Sequence, residues 1–310
     1  MSHLLILLLL AQDLHTYDQP TFRSDVALVH VDAEVLDDGH PIVDLGRESF
    51  RVTDEGRPQT ILYFGHEEEP LDLILLFDAH GEIGLDVKRI AEAAHTALSE
   101  LHHGDHASVM AYGATARRDC RTDLVFDFTG DFEAVERSVG NEVLQQELKS
   151  NGPWLCSGLI SLAGAAQHLW GQPSGNRKRA IIIVTDDKGV GIRAEFVRDA
   201  IRDLWTADAV VLGVLVHSGE IAFSIPPYRG ARYAAERTGG DVLKTDDAAD
   251  GLRQMMQRLR TRYSLYYALP QGRSGEERKI RVQLTPDAAK RYPRALVRAR
   301  TGYVEPGSKQ

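Results

Sequence analysis

This chain has little of what usually announces a chemistry. Two cysteines in 310 residues are too few for a disulfide-framed scaffold, and Cys120 and Cys156 fit no metal or redox spacing. They read as separate thiols, with a bridge between them the less favoured option. No Lys/Arg block offsets the net charge of -9, so a polyphosphate backbone would be repelled and nucleic acid is not an expected partner. Gly-x-x-x-x-Gly-Lys-Ser/Thr, Gly-x-Ser-x-Gly and His-Glu-x-x-His do not occur, which removes the commonest phosphate-cradling, acyl-transfer and zinc-protease signatures. Long apolar runs are missing as well: Leu4 to Ala11 is about the length of a signal-peptide core and too short to cross a bilayer, so no transmembrane span is expected.

That apolar stretch makes residues 1–15 a signal-peptide-like segment, which implies export to the periplasm, the medium or the cell surface. Met1-Ser2-His3 carries no Lys or Arg, and no clean Ala-x-Ala precedes a cut. A buried N-terminal strand and a misplaced start therefore stand as alternatives.

What is present falls into three parts. Residues 22–66 are strand-like, with turn chemistry at Asp37-Asp38-Gly39-His40-Pro41 and at Asp54-Glu55-Gly56-Arg57-Pro58. Glu67-Glu68-Glu69-Pro70 closes this part, since like charges repel and proline stops a ladder. Residues 71–262 then alternate apolar runs with amphipathic segments of helical period, a pattern of βα units around a mainly parallel sheet. Leu71 to Phe77, Ala107 to Gly113, Ala180 to Thr185 and Ala209 to Val216 suit central strands. Leu85 to Leu101, Phe132 to Leu148, Leu155 to Trp170, Ala194 to Trp205, Arg229 to Thr238 and Ala248 to Arg260 suit helices, with Gly239-Gly240 as a stop. Alternation returns in residues 263–305. Two three-stranded sheets would each be marginal alone, so the flanking segments are expected to pair into one small β-sandwich around the inserted unit.

At these residues the chain resembles the bacterial VWFA-related family, in which a von Willebrand factor A domain is flanked by short β segments. Phe22-Arg23-Ser24-Asp25-Val26, Val29-His30-Val31-Asp32 and Phe50 to Gln59 resemble its opening, and Gly104-Asp105 resembles its Gly-Asp turn. Thr238-Gly239-Gly240, Arg262-Tyr263 and Arg298 to Tyr303 resemble its closing signatures. The resemblance covers nearly the whole chain. It implies an α/β fold with a doubly wound, mainly parallel, Rossmann-like sheet, and an exported module that binds a protein or a cell-envelope component.

The family's magnesium site would lie at the carboxyl ends of the strands, held by two aspartates and three hydroxyls. Asp78 matches the first position and Asp186 the last. His80 and Glu82 replace the two serines that follow the first aspartate, and Gly152-Pro153-Trp154 stands where Gly-Thr is expected. Mg²⁺ prefers a near-octahedral oxygen shell, and an imidazole among carboxylates favours Zn²⁺ or Mn²⁺. The expectation is no cofactor, with His80 hydrogen-bonded to Asp78 or Asp186; a divalent cation (Mg, Mn or Zn) on Asp78, His80, Glu82 and Asp186 is the alternative.

Other candidates are weaker. His102-His103-Gly104-Asp105-His106 reads as a turn between helix and strand more than as a metal cluster. Asp186-Asp187 reads as a strand end more than as an acid/base pair, since neighbours on a strand point apart. Trp154, Asp187 and Tyr228 are candidates for a binding rim, although such aromatics also serve to pack helices. The expected function is a non-enzymatic protein-binding or adhesion-like module. A metal-free scaffold and a metal-dependent hydrolase built on Asp78, His80, Glu82 and Asp186 are the rivals.

Overall fold

The computed structural model describes residues 27–65, 69–78, 87–114, 120–139, 156–172, 177–187, 189, 191–216 and 230–306. The signal-peptide-like segment lies outside them. In chain order, the N-terminal strands are β1 (Leu28–Asp37), β2 (His40–Pro41), β3 (Phe50–Asp54), β4 (Arg57–Gln59) and β5 (Ile61–Gly65). The turns between them match their residues: Asp38 and Gly39 take φ of 48° and 81°, and Glu55 and Gly56 take 48° and 75°, a hairpin geometry that Asp and Gly tolerate.

The middle of the chain holds β6 (Leu71–Asp78), α1 (Val87–Ser99), β7 (His106–Ala114), β8 (Cys120–Thr129), α2 (Phe132–Val139), α3 (Gly158–Trp170), β9 (Lys178–Thr185), α4 (Ala194–Thr206), β10 (Ala209–Val216), α5 (Ala231–Thr238), β11 (Val242–Thr245) and α6 (Ala248–Arg260). The six strands form one sheet in the order β11-β10-β9-β6-β7-β8. One face packs against α1, α2 and α6, the other against α3, α4 and α5. Strands β6, β9 and β10 are buried along their whole length, which is why they read as apolar at nearly every position. Local signals set the helix ends. Asp247 caps α6 by accepting from the amides of Ala249 at 3.0 Å and Asp250 at 3.1 Å, and Leu252, Met255, Met256 and Leu259 bury one stripe of it. Gly239 ends α5 with φ of 80°, and a Cβ there would lie 2.3 Å from the Ala299 backbone, so both conformation and space require glycine.

The C-terminal part adds β12 (Tyr263–Ala268), β13 (Glu277–Leu284), α7 (Pro286–Arg291), β14 (Leu296–Ala299) and β15 (Gly302–Val304). These strands interleave with the N-terminal ones. One antiparallel sheet runs β14-β1-β12-β5 with β2 on β1, the other β15-β13-β3-β4. Between them lies a core of Val31, Val35, Phe50, Val52, Tyr263, Leu265, Tyr267 and Val282. Val31 faces Leu265 and Val52 faces Val282, pairs of residues more than two hundred positions apart.

The expected α/β chain built on a doubly wound, mainly parallel sheet is corrected by this architecture. The described chain is a β-rich mix of fifteen strands and seven α-helices, with a five-stranded and a four-stranded antiparallel sheet beside a mixed six-stranded one. The middle sheet is mixed because β8 runs antiparallel to β7. Residues 115–119 are too short a connection for a crossover, which needs a dozen residues or more, so β8 folds straight back. Its Asp123 and Asp127 belong to an edge strand with a wet side, not to the apolar run that marks a central one.

The sandwich sits at the amino ends of β9 and β10 and is joined there by buried charge. Arg258 grips Glu34 with two bonds of 2.7 Å and also pairs with Asp241 at 2.8 Å. Arg262, 1% exposed, donates to the carbonyl of Gly239 at 2.8 Å, and Lys178 Nζ donates to the Arg262 carbonyl at 3.1 Å. Breaking one partner of such a buried pair costs about 3–5 kcal/mol, so buried charge fastens the sandwich at the amino ends of the strands, away from their carboxyl ends.

Candidate functional site

The parallel pairings bring four strand ends level. Asp78 lies opposite Tyr112 on β7, Phe77 opposite Val184 on β9, and Thr185 opposite Leu215 on β10. The loops that follow these strands therefore leave from one line, the place where ligands bind in sheets with crossover helices.

Asp78 is the centre of the described part. It is 1% exposed, and its Oδ2 accepts from the Tyr112 hydroxyl and from Thr185 Oγ1, each at 2.7 Å. Thr185 Oγ1 in turn lies 3.1 Å from the Tyr112 hydroxyl and accepts from the amide of Asp187 at 3.0 Å. Two hydroxyl donors on one oxygen answer the cost of burying a carboxylate. Tyr112 and Thr185 were not among the expected site residues; the available signal was a hydroxyl at the end of each apolar run.

Asp186 is buried beside them, at 4% exposure. Asp187 turns inward. It takes φ of 55°, a left-handed conformation that Asp tolerates better than most residues, and its Oδ1 accepts from the amide of Ala231 at 2.7 Å. That bond ties the end of β9 to the start of α5, so Asp187 serves as a brace between two loops at 6% exposure. His80, Glu82, Trp154 and Tyr228 lie outside the described residues.

The donor set can be compared with the magnesium shell that the resemblance implies. Asp78, Thr185 and Asp186 supply oxygens, but Asp78 Oδ2 already holds two hydroxyls. Among the described residues no three His, Cys, Asp or Glu side chains gather as a metal-ligand group. These residues do not by themselves fit an octahedral shell of six oxygens. Thr185 and Asp78 are nucleophile and base by type, yet each is 1% exposed and bound to the other.

Cys120 and Cys156 are joined as a disulfide with Cα atoms 5.6 Å apart, which corrects the reading of separate thiols. The bridge fastens the start of edge strand β8 to the residue two before α3, and Cys156 belongs to the same core as Tyr112. The His102 to His106 segment is a turn built on Asp105. Its carboxylate accepts from the amides of Leu71 at 2.8 Å and His102 at 2.7 Å and pairs with Arg260.

At the other end of the sheet, His30 of β1 sits in a polar cluster between the two units. Its Nδ1 lies 2.9 Å from Asp208 Oδ2, its ring stacks on Tyr266 at 4.7 Å, and its Nε2 lies 3.7 Å from Asp32 Oδ1. Arg300 pairs with Asp208 at 2.6 Å and with the His30 carbonyl. Burial opposes the charged ring and Arg300 adds to that, but the carboxylates of Asp208 and Asp32 prevail and raise the His30 pKa above 6.5.

No protein-family model and no curated protein matches the chain in sequence. Among solved structures, a von Willebrand factor type A protein from Catenulispora acidiphila aligns at 14% identity and a TM-score of 0.46 over 93% of this chain and 76% of that one. Proximal thread matrix protein 1 from the mussel byssus aligns at 13% identity and a TM-score of 0.43; the match covers 61% of this chain and only 46% of the mussel protein. The PilB minor pilin from Streptococcus sanguinis, as a D319A mutant, aligns at 8% identity and a TM-score of 0.42, covering 62% of this chain and 61% of the pilin. At these values the likenesses carry no argument about family, site or activity.

Proposed function

We propose that this chain is an exported, non-enzymatic binding module that holds a protein or cell-envelope component on a rim formed by the loops after β6, β7, β9 and β10 together with the segment before α3 that carries Trp154. The observation that carries the reading is the level line of Asp78, Tyr112, Thr185 and Leu215. In chain order His80 and Glu82 follow β6, Asp186 follows β9 and Tyr228 follows β10, which supports reading this end as the binding face, while the sandwich occupies the opposite end. The mutual engagement of Asp78, Tyr112 and Thr185 favours a structural foundation for the rim over a reacting group. The Cys120–Cys156 bridge supports export, because disulfides persist in oxidising compartments. Helices give no span: among the described residues none is long and apolar enough to cross a membrane.

The test is a pull-down from envelope extract with the parent protein and with Trp154→Ala and Glu82→Ala. Affinity for the captured partner should fall by about 2 kcal/mol for Trp154→Ala, the size typical of a buried aromatic anchor, without a matching loss of melting temperature. Two variants that bind as tightly as the parent would move the contact off this rim.

A further inference from the structure

A groove of about 350 Å³ opens between α4 and α5 on the flank of the middle sheet. Its apolar wall is made by Val197, Ile201, Trp205 and Tyr233. Ile201 is buried, while Val197, Trp205 and Tyr233 are only partly covered by the core behind them. The volume lies in the range of small-molecule sites, and a mostly apolar wall with a few polar groups is their usual composition.

The polar groups are the informative part. Arg198 and Arg237 both line the groove, and neither is in an ion pair among the described residues. The acidic lining residue, Glu277, is offset by Arg202 at 3.7 Å. An apolar trough with two unpaired guanidiniums is unusual in a chain whose net charge is -9. The Arg237 side of the groove is also preorganised. The carbonyl of Arg237 accepts from Trp205 Nε1 at 3.1 Å, from the Thr301 amide at 3.0 Å and from Thr301 Oγ1 at 3.3 Å, and its guanidinium lies 5.0 Å above the Tyr233 ring. A Cβ on Gly302 would lie 2.7 Å from Trp205, so the sandwich abuts the indole directly. The indole and the Arg237 backbone are thus held in place, and the Arg237 guanidinium is stacked, before any ligand arrives.

We infer that this groove binds a small amphiphilic monocarboxylate, its aliphatic body against Val197, Ile201, Trp205 and Tyr233 and its carboxylate on Arg198 and Arg237. The planar guanidinium fork matches a carboxylate, and the apolar wall supplies the burial. This site is separate from the rim and does not rest on the function proposed for it.

Decanoate is the probe, titrated into the full chain by calorimetry, with the change in tryptophan emission that is lost in Trp205→Phe as a second readout. Saturable binding below the micellar concentration is expected, with decanol at least tenfold weaker. In Arg198→Gln/Arg237→Gln, decanoate affinity should fall at least tenfold; both side chains are exposed, so the melting temperature should hold. Val197→Trp, which fills the trough, should abolish binding in a protein that still melts cooperatively. No saturable decanoate binding, equal affinity for decanol, or an unchanged Kd in the double arginine variant would each overturn the assignment. So would a peptide carboxyl terminus that binds where decanoate does not.

Discussion

Removing the Cys120–Cys156 bridge is the perturbation whose size the structure sets most directly. The bond closes a loop with a sequence separation of 36. In the chain-entropy account, closing a loop of that size in the unfolded state contributes about 3.8 kcal/mol at 25 °C. Cys156 is 1% exposed in an apolar core, so alanine is the cleaner replacement there, since serine would bury a hydroxyl as well. Cys120→Ala/Cys156→Ala should lower the unfolding free energy by about 3–4 kcal/mol, read from urea or guanidinium transitions by linear extrapolation. Reduction of the parent protein should give a loss of the same size. The bridge also holds the start of β8 to the chain leading into α3, so local exchange protection of β8 should fall more than that of β9. Free thiol titrating at two per chain in unreduced protein, or an unchanged transition midpoint on reduction, would refute the reasoning.

Asp54, 0% exposed, accepts from Tyr267 at 2.8 Å, Tyr303 at 2.9 Å and Arg278 at 2.7 Å, so Asp54→Ala should cost about 3–5 kcal/mol by stranding two buried hydroxyls and a part-buried guanidinium together, and a loss under 1 kcal/mol in a denaturant titration would contradict this. Because the His30 pKa is raised above 6.5 in the fold, its contribution is fully present below pH 6.5 and lost as pH rises through the folded value; unfolding free energies at pH 6 to 9 should fall more steeply in the parent than in His30→Gln, and the reverse ordering would sink the linkage argument. Millimolar Mg²⁺ should leave the melting temperature unchanged, since a site at a hundred times its Kd would add about 2.7 kcal/mol; an upward shift that disappears in Asp78→Ala would show a magnesium site, and a response to Zn²⁺ or Mn²⁺ alone would make His80 a ligand. Truncation after Arg262 removes the strands that pair with β1 and β3, so the product should aggregate through bare edges; a soluble, folded product would contradict the shared sandwich.

Part of the site was legible. Asp78 and Asp186 stand at the ends of apolar runs, and a polar residue at such a point marks where a buried strand emerges. Tyr112 and Thr185 were not legible as its partners, because nothing in the local text says which strand lies beside β6. Register decides that, and register is a property of two segments. Asp187 shows the same limit in reverse: as an acidic residue after a strand it suggests an open rim, yet its left-handed backbone turns it onto the Ala231 amide. The groove between α4 and α5 had no signal at all, since Val197, Trp205, Tyr233 and Arg237 are ordinary members of two amphipathic helices until those helices are set side by side.

By itself the sequence determined the elements whose causes are short-range. The runs Leu71 to Phe77 and Ala180 to Thr185 are strands because every side chain in them must be buried on one face or the other. Asp247 starts a helix and Gly239 stops one through bonds and dihedrals within a few residues. Only the tertiary structure decided that β8 folds back to make the sheet mixed, that Cys120 meets Cys156, and that Arg258 and Arg262 find Glu34 across the chain. The bridge and the two ion pairs each depend on closing a long loop, and loop-closure free energy grows only with the logarithm of length. Composition and spacing therefore leave many distant partners nearly equivalent, and the packing of three cores selects among them.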